Sequence, residues 1–221
     1  MMRKQSQTRL IATTFAALGV LATATVVAQV DLNKAAKLRA PATFNEKAPD
    51  TYTASFDTSK GTFVVTVHRE WAPLGADRFY NLVKKGFYDD VRFFRAMAGF
   101  MVQFGMHGNP AVTAAWKNQT LKDDTRKQSN KRGYVSFAAT SLPNSRTTQV
   151  FINLANNTQL DSPQYTFAPF GEVTSGMDVV AKITTQYGDN VDQDLLTRQG
   201  NNYLTKEFPK LDYIKTATLG K

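Results

Sequence analysis

The clearest periodic signal in the chain is a pair of alternating runs, Thr51–Asp57 (TYTASFD) and Gly61–His68 (GTFVVTVH), set around a short polar turn. Successive side chains of a half-buried strand face opposite ways, so apolar residues two apart share the buried face. Two such runs around a turn predict a hairpin. After Pro73 the period changes. Leu74, Phe79, Leu82 and Val83 recur at helical spacing, and Pro73 stands where a missing N–H costs least. Lys84-Lys85-Gly86 then supplies basic residues and a glycine stop. Strands are expected at Val91–Met97 and Phe100–Phe104 with Gly99 between them, then at Gly133–Ala138, Thr148–Leu154, Ala168–Val173 and Leu211–Leu219. Gly176–Ile183 has the apolar spacing of a second, short helix.

Two long polar stretches show no sustained period. His107–Arg132 reads as a surface loop, and Thr184–Pro209 as an irregular insertion with helical character at Asn201–Glu207. Many short strands with a helix near each end predict a mainly β chain, a closed barrel with helical caps. No internal repeat or low-complexity tract interrupts it.

The N-terminus stands apart from this pattern. MMRKQSQTR carries Arg3, Lys4 and Arg9 with no acid, Leu10–Val27 is apolar or small, and Val26-Val27-Ala28 precedes Gln29. That is the layout of a secretory signal peptide over residues 1–28, cleaved after Ala28. Its many Ala, Thr and Gly residues make it weakly hydrophobic, which favours cleavage over a retained anchor. The expectation is an exported protein, periplasmic or secreted, with no stable membrane anchor once the segment is gone. Gln29–Asp50 is polar, contains Pro41 and Pro49, and reads as a linker or N-terminal arm before a domain at 51–221.

Composition mainly excludes. With 221 residues, 42% hydrophobic and 20% charged, the chain is of ordinary globular make-up. It has no cysteine, so disulfides, zinc–thiolate sites and thiol nucleophiles are ruled out. The net charge of +9 falls to +6 without the first 28 residues, which hold three basic and no acidic side chains. Lys117, Lys122, Arg126, Lys127, Lys131 and Arg132 are interleaved with Asp123 and Asp124, a solvated face rather than a nucleic-acid stripe. His68 and His107 have no acid at triad or metal spacing. Asp189–Asp194 has carboxylates like a calcium loop but lacks its central glycine and distal glutamate. Gly99, Gly105 and Gly108 are followed by no predicted helix and are not a dinucleotide fingerprint. No metal or cofactor is expected. Asn118 and Asn156 head glycosylation sequons, which matter only in a pathway able to use them.

The candidate chemistry lies in Val91–Gly105 (VRFFRAMAGFMVQFG), read with Val135–Asn153 (VSFAATSLPNSRTTQVFIN). Alternation places Phe93 with Arg95, and Met101 with Gln103. A guanidinium and an amide among Phe and Met are poor core-builders, but they suit an apolar groove that needs a fixed donor. The wording FxR…GFMxQ followed by PN…TTQxFI closely resembles the cyclophilins, the peptidyl-prolyl cis–trans isomerases, over roughly Thr51 to Leu219.

The resemblance implies an eight-stranded antiparallel barrel, closed and capped by two α-helices. It implies an enzyme that accelerates rotation about Xaa–Pro bonds in other exported proteins, without cofactor, and a monomer as the default. The family's catalytic arginine falls on Arg95, donating to the prolyl nitrogen. The proline pocket falls on Phe100, Met101, Phe151 and Leu160, and the glutamine that orders the arginine and contacts the substrate backbone falls on Gln103. The backbone-pairing segment falls on Ala138 and Ala139, with Gln149 on the next strand. There are departures. The groove tryptophan of the family is Gln159 here, which implies weak binding of the inhibitor cyclosporin, and the proline before Gly-Phe-Met is Ala98. The usual pocket histidine is absent, and Phe167 or Tyr165 supplies an aromatic edge in its place. These departures keep an alternative open: a cyclophilin-like chaperone or binding module that grips proline segments without turnover.

Overall fold

Alternation is strongest in the predicted hairpin, and the structure there follows it closely. The computed structural model describes residues 32–220; the signal-peptide reading of 1–28 lies outside them. A first helix, α1, covers residues 32–38, and from Arg39 onward the chain forms one compact unit. β1 (Thr51–Thr58) and β2 (Gly61–His68) pair antiparallel from Thr51↔His68 to Thr58↔Gly61. Tyr52, Ala54, Phe56, Phe63, Val65 and Val67 turn inward, as period two requires.

Helix α2 (Pro73–Lys84) follows and buries Phe79 and Leu82. Its N-cap, Ala72, has no side chain to offer, so Asp124 from a distant loop accepts from Leu74 N (3.0 Å) and Gly75 N (2.9 Å) instead. β3 (Arg95–Met97), β4 (Met101–Phe104), α3 (Pro110–Trp116), β5 (Tyr134–Phe137), β6 (Val150–Asn153), β7 (Pro169–Ser175), α4 (Met177–Ala181), α5 (Gln193–Gln199), α6 (Asn201–Glu207) and β8 (Ile214–Leu219) complete the order. The eight strands form one antiparallel sheet in the order β3-β4-β6-β5-β7-β2-β1-β8. Its interior is aromatic: Phe56 stacks on Phe63 at 4.9 Å, and Phe79, Tyr88, Phe104 and Phe170 pack around them.

Three expectations are corrected. The sheet is a strongly curled open half-barrel, not a closed barrel, because the edge strands β3 and β8 do not pair. The expected strand from Val91 does not stay extended. Asp90 takes a left-handed φ of 60°, Arg92 makes only an isolated bridge to Tyr213, and the ladder starts at Arg95. Phe93 therefore does not share a face with Arg95; its ring meets Phe104 at 5.3 Å in the interior. The gap between the edges is spanned by Asp90, Val91 and Phe93, hydrogen-bonded to Ile214 and Asp212. Among the described residues the α-helices number six rather than two.

Beyond α1, in the arm, the extra helices lie in the two polar stretches, and α6 is the segment Asn201–Glu207 whose helical character was expected. α3 is inside the predicted loop 107–132; Asn109 caps it through Ala111 N and Pro110 opens it. It buries Trp116 against Phe87 and Phe44. Phe44 belongs to the arm before β1, which is also tied down by Asn81 to Glu46 and by Asp77 to Ala48 N. α5 and α6 occupy the 184–209 insertion and carry a small core of their own: Val191, Leu196, Tyr203, Leu204 and Leu211 with Phe94 and Met106. Burial of those side chains, each worth about 1.5–3 kcal/mol, explains why so polar a stretch is ordered.

Candidate functional site

All ten residues expected at the site line one cleft of about 500 Å³. In the β3–β4 ladder Arg95 pairs with Gln103 and Met97 with Met101, so the tight turn at Gly99, φ 68°, sets arginine opposite glutamine. In the β4–β6 ladder Gln103 pairs with Phe151, bringing the third strand's aromatic ring to the same place. β4 and β6 can approach because Gly105 has no side chain; a Cβ there would lie 2.4 Å from Thr148 O.

The apolar end of the cleft is a cluster of Met101, Phe151 and Leu160, with Phe100, Ala138 and Phe167 packed against it. Phe167 meets the Phe151 ring edge-on at 5.3 Å, and Tyr165 stacks behind Phe167 at 5.4 Å. Of the two aromatic candidates, Phe167 is therefore the one that lines the cleft.

Beside this apolar pocket runs a polar chain. Arg95 Nη1 donates to Gln103 Oε1 at 3.3 Å, and Gln103 Nε2 donates to Gln149 Oε1 at 2.8 Å. Arg95 Nε also lies 2.7 Å from Asp189 Oδ1, although its N–H is not aligned for a hydrogen bond. Ala138 N donates to Gln149 O at 2.9 Å, so its donor is already engaged by the residue that precedes β6.

Behind the pocket lies a buried amide network that sequence reading missed. Asn157 Nδ2 donates to Phe100 O (2.8 Å) and Asn153 Oδ1 (2.7 Å). Ser136 donates to Asn130, whose N and Nδ2 donate to Asp161 at 3.0 and 2.9 Å. Asn130 and Asn153 are fully buried, so each must be satisfied this way. The network clamps the turn carrying Leu160 and the carbonyl of Phe100, fixing two pocket walls. Burial alone would raise the Asp161 carboxyl, but hydrogen bonds from Ser129 and Asn130 and the charge of Arg126 together hold it below its ordinary value.

The cleft also extends past Gln103 and Gln149 towards α3 and α5, where Trp116, Lys117, Gln193, Asp194 and Thr197 border it. These were not among the expected site residues. The Asn109-Pro110 cap with Val112 and Trp116 four apart, and Asp192 before Leu195 and Leu196, were the signals for those helices. Among the described residues no group of acids and histidines could hold a metal ion, and no helix is long and apolar enough to cross a membrane.

The family model of the cyclophilin type peptidyl-prolyl cis-trans isomerase/CLD matches residues 53–201. Peptidyl-prolyl cis-trans isomerase A of Dickeya dadantii is 35% identical over 136 residues, covering 61% of this chain and 72% of its own. Peptidyl-prolyl cis-trans isomerase B of Escherichia coli is 34% identical over 134 residues, covering 58% and 82%. The crystal structure of a Cryptosporidium parvum cyclophilin type peptidyl-prolyl cis-trans isomerase shares the fold, with a TM-score of 0.58 at 17% identity over 77% of this chain and 98% of that one. A second structure of that protein, in the presence of the dipeptide Ala-Pro, gives 0.55 at 18%, over 76% and 99%. On the match of more than half its length to the family model, the chain belongs to the cyclophilin-type peptidyl-prolyl cis-trans isomerases.

Proposed function

We propose that this isomerase turns Xaa–Pro bonds by gripping the proline ring between Met101, Phe151, Leu160 and Phe167 while Arg95 donates to the prolyl nitrogen. Rotation about the bond is blocked by amide resonance, with a barrier of about 18–20 kcal/mol. As the bond twists, the nitrogen loses that resonance and its lone pair becomes a better acceptor. A donor fixed at that point stabilises the twisted state more than the planar one, which is the condition for raising kcat. Arg95 suits the role because it stays charged and presents its donors as a rigid fork. Gln103 orders it, and Gln149 orders Gln103. The substrate backbone pairs along the Ala138–Ala139 segment, from Ala139 in particular, because Ala138 N is engaged by Gln149 O.

The observation that carries this reading is the polar chain from Arg95 through Gln103 to Gln149, lying directly beside the Met101–Phe151–Leu160 pocket. Phe100 closes the pocket from the turn between β3 and β4. No cofactor is required. The Ala-Pro dipeptide named with the Cryptosporidium structure is a ligand of the class proposed here, a proline-containing peptide.

A protease-coupled isomerisation assay on a short Xaa-Pro peptide tests the role of Arg95. Strong activity in the wild type, largely lost in Arg95→Ala, supports it; equal activity in the two removes it. We place the enzyme's work outside the cytoplasm, on the strength of the basic and then apolar pattern of residues 1–28. N-terminal sequencing of the protein from the extracytoplasmic fraction should begin at Gln29; a chain retained in the cytoplasm and beginning at Met1 would contradict this.

A further inference from the structure

Arg95 is held at two points, and the second comes from the insertion. Its Gln103 contact, at 3.3 Å, is near the long end of the hydrogen-bond range. A guanidinium on a flexible stem is poorly fixed by one such bond. At a different nitrogen of the same fork, Asp189 Oδ1 stands 2.7 Å from Nε. The Nε–H is not directed along that contact, so the attraction is one of charge.

The turn that carries Asp189 is itself anchored. Gly188 O accepts from Ala96 N at 3.1 Å, one residue from Arg95, so turn and strand are hooked together beside the guanidinium. Tyr187 packs edge-on against Phe208 at 5.1 Å, and Val191 enters the small core built with α5 and α6. Both helical segments therefore brace one turn, and that turn presents a carboxylate to Arg95. Nothing in the proposed chemistry otherwise uses the 184–209 segment.

We propose that Asp189 is a positioning residue for Arg95. Together with Gln103 it holds the guanidinium so that its Nη edge is turned into the groove, and the helical insertion is the scaffold of this second anchor. The inference rests on the reading of Arg95 as the donor. Asp189 is half-exposed, its side chain 53% accessible, so the pair adds little to stability. Its effect is on where the donor points, and so on turnover rather than on binding.

The test is a double-mutant cycle on the full mature chain: wild type, Asp189→Ala, Arg95→Ala and the double variant, with kcat, KM and Tm measured on one Xaa-Pro peptide. Asp189→Ala should lower kcat about three- to tenfold, leave KM within twofold and leave Tm unchanged. In the Arg95→Ala background the same change should have no further effect, because the group it positions is gone. Wild-type kcat in Asp189→Ala overturns the proposal, and so does an equal loss in both backgrounds, which would mark a role independent of Arg95. Full activity in Arg95→Ala would instead overturn the donor reading on which the proposal stands.

Discussion

Arg95 and Gln103 face each other across the β3–β4 ladder, and the arginine's Nη1 donates to the glutamine's Oε1 at 3.3 Å. A residue whose charge serves chemistry is thus oriented by a neutral amide, itself oriented by Gln149. The amide fixes the fork through a directed bond, while Asp189 holds the same guanidinium at Nε by charge. Gln103→Leu keeps the size of the side chain and removes the acceptor. Hydrogen bonds to charged groups are worth about 1.5–3 kcal/mol, so kcat/KM should fall roughly ten- to hundredfold, mostly in kcat. Steady-state kinetics check this; unchanged kcat would show that Gln103 does not order the donor.

The pocket wall at Leu160 should respond to acid. Asp161, next in the chain, has its carboxyl held below the ordinary value of 3.8 in the folded protein. A depressed carboxylate contributes stability that is fully present above the unfolded-state value and is lost as pH falls through the folded one. Asp161→Asn should therefore be less stable than the wild type at neutral pH, with the gap closing below about pH 4. Thermal unfolding from pH 7 to pH 2.5 reads it, and a gap that widens on acidification would contradict the assignment.

Arg146 and Asp124 should matter for stability far more than the exposed ion pairs do. Arg146 is fully buried; its Nη1 donates to Asp124 Oδ2 at 3.0 Å, and Asp124 also caps α2. Asp124→Ala leaves two helix N–H groups without their acceptor and leaves the buried guanidinium only the Lys122 carbonyl and Asp123, at 3.4 Å, as partners. Breaking a buried pair on one side costs about 3–5 kcal/mol, a fall in Tm of roughly 10 °C for a chain of this size. By contrast Lys182→Ala, at an exposed i,i+4 pair with Asp178, should shift Tm by about 1–2 °C or less.

Gln159 stands exposed on the short helical turn Thr158–Asp161, at the position to which the family resemblance assigns a groove tryptophan. Cyclosporin should inhibit this enzyme weakly, and Gln159→Trp should tighten inhibition about tenfold, the effect of roughly 1.4 kcal/mol from a large ring on the groove edge. Inhibition curves on the two proteins decide it; equal potency would mean that the edge at 159 does not reach the inhibitor.

How much of this was legible in the chain follows from where burial is one-sided. β1, β2 and α2 each turn one face to the core, so their periods are visible in the sequence; β4 is buried on both faces, and Met101 and Gln103 could be placed together only by strand alternation. The proline-pocket set came through the family resemblance rather than through period, because Phe100, Phe151 and Leu160 read as core when taken alone. α3 and α5 are two turns long and each buries only one or two residues, Val112 with Trp116 or Leu196 alone, too few to show a period, whereas the helical character expected at Asn201–Glu207 is that of α6. The open edge was hidden because Val91–Met97 has strand composition throughout, while the break comes from the backbone at Asp90. Asp189 was visible only as one of several acids. Its approach to Arg95 joins residues 94 apart in the chain, and no local pattern records it.

The central claim is that Arg95 accelerates rotation itself and does not merely help to hold the peptide. Exchange spectroscopy on a Xaa-Pro peptide at equilibrium with the enzyme separates the two, since it reads both the rotation rate on the enzyme and the affinity. The account predicts that Arg95→Ala slows on-enzyme rotation by about a hundredfold or more while peptide affinity changes by only a few-fold. Rotation that stays fast in Arg95→Ala, with affinity lost instead, would contradict it.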